Sequence, residues 1–209
     1  MVEFREVAEK RYLCCHQSRS TLRRIAVYVA GPFPETNNRN RYILVVMDYF
    51  SQCPEAYAIP NQEAKTVVDQ IVFNWVSRFG VPSELHSDQG RNFESNIFQE
   101  VCGLLDIIKN TRITALHPQS EGIVERFNRT LKEHLCKVVD DNQRDWDRHI
   151  ILFLMAYRSA KHSSTDHNPS DILIGRNTRL PSEIKFGCPT SEPQAEDDYI
   201  GDLRERLLQ

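Results

Sequence analysis

Residues 117–133 read HPQSEGIVERFNRTLKE, and no other stretch limits the possible folds of this chain so tightly. Pro118 is tolerated in a first helical turn, Ser120 is a capping residue type, and apolar residues then recur at Val124, Phe127, Leu131, Leu135 and Val138. Spacings of three and four make a single stripe along a long helix, and that stripe needs an apolar surface to cover it. At about 100° per residue, Glu121, Glu125, Asn128 and Lys132 share the neighbouring face, with Arg129 at its edge. One reading of that face is a solvated surface laced by Glu–Arg and Glu–Lys pairs. The other is a carboxylate and several donors aimed at one ligand.

The covering surface is expected upstream. Residues 25–30 and 42–49 are rich in β-branched and aromatic side chains, and GPFPETNNRNR between them is turn chemistry, so two antiparallel strands are predicted, with a short third over 56–59. Residues 63–79 carry Val67, Val68, Ile71, Val72, Trp75 and Val76 at helical spacing and stop at Gly80 and Pro82. A brief strand over 83–86 follows and delivers HSDQGRNF, in which Gly90 lets the chain turn away behind Asp88. A helix over 95–105, a strand over 107–115, the long helix and a further helix over 145–160 complete the pattern, and from Pro181 the chain reads as loop. Three strands in succession, then alternating helices and strands, then two helices, predict an α/β domain with a mixed five-stranded sheet flanked by helices.

The segment at 117–132 resembles the HPQ-x-x-G-x-VERFN-x-x-LK signature of retroviral and Gypsy-type retrotransposon integrases, which are DDE polynucleotidyl transferases. The similarity runs from about Ala26 to about Arg206 and includes HSDQG, Tyr157-Arg158, His162, Ser163, Thr165, Asn168-Pro169 and Ile172-Leu173-Ile174-Gly175-Arg176 in the family's order. It implies the ribonuclease H-like fold. It also implies DNA integration as the ancestral activity, with 3′-end processing and strand transfer, Mg²⁺ or Mn²⁺ as cofactor, DNA as partner, and a homo-oligomer. By the same resemblance Asp88 and Glu125 are the second and third metal-binding, catalytic carboxylates, while His117, Gln119, Asn128, Arg129 and Lys132 surround them as nucleic-acid-binding residues. Between Asp88 and Glu125 lie 36 residues, one more than is usual in that family.

The chain departs from its relatives three residues before Gly31-Pro32, where their first catalytic Asp stands and this chain has Tyr28. A phenol has an ordinary pKa near 10, stays neutral at pH 7 and is a poor ligand for a hard divalent cation. In that family carboxylates hold two ions about 3.5–4 Å apart, so that one side activates the attacking oxygen and the other stabilises the leaving oxygen. Asp88 and Glu125 are expected to hold one ion between them, and the second site is expected to be weakened. The activity expected of the chain is therefore impaired, or it survives as a co-opted DNA- or protein-binding module without catalysis. Asp48, at the end of the second strand, is the one residue on offer as a substitute ligand, and as a ready turn-former it has a simpler explanation.

Charge does not decide the matter. The formal net charge is −3, but residues 191–209 hold six acids against Arg204 and Arg206, which leaves the rest close to neutral. Domain boundaries are expected at 1–24 (an irregular leader), 25–180 (the integrase core-like domain) and 181–209 (an acidic extension with a short helical pattern). Cys14, Cys15 and His16 are adjacent instead of being separated by the two to four residues a tetrahedral site needs, so no zinc is expected. Six scattered cysteines suggest reduced thiols inside a cell, no apolar run is long enough for a membrane span, and a DNA substrate implies the nucleus.

Overall fold

The computed structural model describes residues 21–87, 90, 93–110, 118–139, 143–176 and 178–186. Strands β1 (Arg24–Ala30), β2 (Tyr42–Asp48) and β3 (Pro54–Ile59) form an antiparallel meander. Strands β4 (Glu84–Ser87) and β5 (Ile108–Asn110) then add in parallel on the other side of β1, giving the order β3-β2-β1-β4-β5. The expected mixed five-stranded sheet is thus present. Its centre is β1, which has partners on both edges and is hydrophobic on both faces, as a strand covered from two sides must be.

Side-chain alternation divides β1 and β2 between two cores. Ile25, Val27, Leu44 and Val46 face helix α1, built from Ala64–Gln70, a π-helical stretch Ile71–Val76 and a last turn Ser77–Phe79, and helix α2 (Asn96–Leu104). Tyr28, Ala30, Ile43, Val45 and Met47 face helices α3 (Pro118–Val138) and α4 (Trp146–Ser159). Phe127, Leu131 and Leu135 of the predicted stripe are buried there, and Val124 packs against their edge. Val138, the last residue of that stripe, instead ends the helix beyond the cluster and is 37% exposed.

Local chemistry explains most boundaries. Gly80, at φ 83°, ends α1 in the left-handed region, and Ser95 caps α2 by accepting a hydrogen bond from the Phe98 amide at 3.3 Å. Helix α3 starts at Pro118, so Ser120 lies inside its first turn instead of capping it. Two short helices escape the periodicity: α5 (Pro169–Ile174) and α6 (Pro181–Phe186). The second corrects the expectation of a loop from Pro181. In both, proline stands at the first helical position, where its fixed φ favours the turn and its missing N–H costs nothing. The strand predicted over 107–115 is described only as Ile108–Asn110, and the leader at 1–20 and the acidic stretch at 191–209 lie outside the described residues.

Candidate functional site

The candidate site draws on β1, on β4 paired beside it, and on α3, whose Phe127 packs with Tyr28 of β1. Tyr28 lies in β1 opposite Val45 of β2, with its ring turned into the α3/α4 core and only 8% of its surface exposed. Its hydroxyl is buried without a hydrogen-bond partner among the described residues. Burial, reinforced by the neighbouring Tyr157 phenol, pushes the Tyr28 pKa well above the ordinary value, so the group is a neutral phenol at any physiological pH. On its other edge β1 pairs with β4 so that Val27, the residue before Tyr28, stands opposite Ser87, the residue before Asp88. Asp88 itself and His117 lie outside the described residues, as does the side chain of Gln119.

Glu125 is exposed near the start of α3 and lines an open cleft of about 810 Å³ together with Gly122, Ile123, Arg126 and Arg129 of the same helix. The opposite wall is Gln52, from the turn between β2 and β3, and Ser164, from the loop after α4. Of the residues expected to surround the carboxylates, Arg129 therefore reaches the cleft with Glu125. Lys132 is exposed elsewhere on the helix, and Asn128 has a buried Oδ1 that lacks a partner among the described residues. No ion pair joins Glu125, Arg129, Lys132 and Glu133 among the described residues, so the solvated-face reading loses the pairs it required.

Asp48 is no substitute for an acid at Tyr28. It pairs with Ile25, three residues earlier along β1, and shares the alternation of Leu44 and Val46, which face α1, whereas Tyr28 faces α3. Its carboxylate is wholly buried and already accepts hydrogen bonds from the Leu22 amide at 2.8 Å, the Ser51 amide at 2.8 Å and the Ser51 hydroxyl at 2.7 Å. Burial raises its pKa, and those donors offset part of the rise. It is a turn-former that ties the start of β1 to the β2–β3 hairpin.

A ring of aromatic and basic groups supports the site. Tyr157 of α4 stands edge-on to Phe127 at 4.9 Å and to His162 at 4.4 Å. Burial pushes the Tyr157 hydroxyl up to about 12 and draws the His162 pKa down, while the Arg126 charge is felt by both. Arg158 reaches the sheet edge, donating from Nε and Nη2 to the Pro54 carbonyl at 2.9 and 2.6 Å and pairing with Glu55 at 2.8 Å. Sequence reasoning missed Gln52, Ser164 and Arg126. Nothing in the chain signals that Gln52 and Ser164 meet across 112 positions.

The donor set can be tested against a pair of divalent ions. Among the described residues no three carboxylate, histidine or cysteine side chains come together. A buried neutral phenol does not fit as the anionic oxygen ligand that one of two ions would need at Tyr28. The described residues therefore do not by themselves make a two-ion site, and Asp88 lies outside them.

Residues 28–113 match the family model of the integrase core domain. The Pol polyprotein from transposon 412 of Drosophila melanogaster is 28% identical over 184 residues, covering 88% of this chain and 15% of the polyprotein. Among solved structures, the catalytic core domain of BIV integrase is 26% identical with a TM-score of 0.56 and covers 72% of this chain and 93% of that one. Over residues 28–113 this chain is thus an integrase core domain by sequence, and its likeness to integrase catalytic cores extends over most of its length. The HTLV-2 integrase catalytic core domain, solved with magnesium in a trimeric form, shares the fold at 20% identity and a TM-score of 0.59, covering 73% of this chain and 97% of its own. The fold class is thus that of integrase catalytic cores. DNA integration with divalent metal ions is the activity of that family, and this integrase core spans 15% of the length of the transposon polyprotein it matches. No described helix is long and apolar enough to cross a membrane.

Proposed function

We propose that this integrase core binds DNA through the α3 face but is impaired in cutting and joining it. The observation that carries the reading is Tyr28, a buried neutral phenol at the position the family resemblance gives to a metal-binding Asp. Asp88 and Glu125 are the carboxylates left for one Mg²⁺ or Mn²⁺, with Arg129 beside Glu125 in the cleft and His117, Gln119, Asn128 and Lys132 as further DNA contacts. Losing one ligand of such a clamp removes several kcal/mol of transition-state stabilisation, which is orders of magnitude in rate. DNA binding needs donors instead of that carboxylate, so it survives. The same observation serves a second reading, a co-opted binding module that has kept the fold without the chemistry. Self-association and a nuclear location go with the first reading.

The test compares the natural chain with Tyr28→Asp on an oligonucleotide that mimics an element end, scoring Mg²⁺- or Mn²⁺-dependent nicking and joining alongside DNA binding. The natural chain should bind without joining. Tyr28→Asp should lose stability, because it leaves a cavity and places a carboxyl in an apolar cluster, and should regain part of it on adding Mg²⁺ as a rise in melting temperature. Joining by the natural chain would sink the claim of impairment; a folded variant that neither joins nor gains stability from the ion would favour the binding module.

A further inference from the structure

We infer that the cleft beside Glu125 is a phosphate-binding groove for the DNA backbone, gripped by Arg126 and by the Nε2 amide of Gln52, with Ser164 holding Gln52 in place. The inference rests on the reading of the chain as a DNA-binding integrase core, and it assigns the grip to residues outside the nucleic-acid-binding set that the family resemblance implies.

Three observations carry it. Gln52 is 8% exposed and lines the cleft, and the Ser164 hydroxyl donates to its Oε1 at 2.9 Å. That bond fixes the amide and leaves Nε2, a two-hydrogen donor, without a protein partner among the described residues. An amide donor kept free on an otherwise buried side chain, at the wall of an open cleft, is suited to an acceptor-only ligand, and a phosphate oxygen is one. Gln52 also has φ 56°, a left-handed conformation that a side-chain-bearing residue adopts at a cost and that glycine or asparagine would adopt more cheaply. The position closes the turn between β2 and β3, where the Asp48 amide donates to the Cys53 carbonyl at 3.2 Å, so folding alone would favour glycine there. A glutamine at this site is explained by its side chain.

The facing wall supplies charge. Arg126 and Arg129 lie three residues apart on α3, both exposed and both lining the cleft, and neither makes an ion pair among the described residues. Among the described residues that line the groove, two guanidinium groups stand against the Glu125 carboxylate, a positive balance although the whole chain is formally negative. Guanidinium forks match phosphate oxygens in pairs, and a lone amide completes the third contact. None of these donors depends on a metal ion, so the grip persists when divalent ions are removed.

Fluorescence anisotropy of a labelled DNA duplex, measured in EDTA at fixed salt, tests this with the natural chain, Arg126→Ala, Gln52→Gly and Ser164→Ala, each with a thermal melt. Arg126→Ala should weaken binding roughly tenfold, the loss expected for one charge-assisted contact. Gln52→Gly should weaken binding several-fold while its melting temperature holds or rises, since glycine relieves the backbone; a residue with a purely structural role would not separate the two readouts in that direction. Ser164→Ala should fall between Gln52→Gly and the natural chain. If the natural chain binds and Arg126→Ala and Gln52→Gly bind equally well, the groove assignment is wrong while the DNA-binding reading stands. If the natural chain binds no DNA, both fall. Arg126 is exposed, so its variant decides the question even if Gln52→Gly fails to fold.

Discussion

Tyr28 concentrates the tension between fold and chemistry in one side chain. Its ring fills the α3/α4 core beside Phe127 and Val45, a gain for stability, while its hydroxyl is carried into that core without a partner among the described residues. An orphaned buried hydroxyl costs about 1–3 kcal/mol, whereas replacing it with an apolar group of the same shape is neutral or favourable. Tyr28→Phe should therefore be as stable as the natural chain or up to about 2 kcal/mol more stable in urea denaturation, with an unchanged m-value. A loss of stability would mean that the hydroxyl has a partner and that Tyr28 does more than fill space. Asp48 is the opposite case. Its carboxylate is also buried, but three donors meet it and offset part of the cost of burial, in a place where it serves only the turn.

At the scale of elements, the β3 edge is held by charge. Glu55, 8% exposed, faces Arg158 of α4 at 2.8 Å through one oxygen and Arg78 of α1 at 3.6 Å through the other, so helices from both faces of the sheet converge on one carboxylate. Arg158 also occupies the Pro54 carbonyl, which blunts an edge that would otherwise offer a free acceptor. Removing Arg158 leaves Glu55 with only the longer Arg78 contact, so Arg158→Ala should cost about 2 kcal/mol, less than a fully unpaired buried charge would, and Arg158→Ala with Glu55→Gln together should cost less than the sum of the two singly, as a double-mutant cycle in denaturant would read. Additive losses would show that the pair is not coupled. At the opposite end of α4, Asp147 accepts from Thr36, Asn38 and Asn40 at 3.0, 2.9 and 2.9 Å, and Trp146 donates to the Pro34 carbonyl at 2.7 Å, so the polar loop between β1 and β2 is fastened to that helix. Elements with sustained periodicity are legible in the sequence: α1 to α4 and the first three strands stand within a residue or two of their expected places. The π-helical stretch in α1 and the six-residue helices α5 and α6 are not, because each is shorter than the window over which an apolar repeat declares itself.

At the scale of the whole molecule, what can be read of the site divides along the same line. Glu125 and Arg129 are legible because their neighbours in sequence are their neighbours on the helix, and Tyr28 because it stands at a fixed distance from Gly31-Pro32. Gln52 and Ser164 belong to two loops that only the folded chain brings together, and their types, a glutamine and a serine in polar turns, carry no pattern of their own. Charge behaves similarly: a formal −3 conceals a cleft whose described lining sets two arginines against one glutamate. The salt dependence of DNA binding distinguishes the local from the global quantity. Each phosphate neutralised on a duplex contributes about −0.9 to the slope of log affinity against log salt. With Arg126 and Arg129 in the cleft and Lys132 further along α3 as the basic contacts, the natural chain should give a slope of about −3, and Arg126→Ala about −2, measured by anisotropy across a series of salt concentrations. A slope near zero would mean that the cleft holds no phosphates. A much steeper slope that Arg126→Ala leaves unchanged would move the DNA path off this cleft and onto other basic residues of the chain.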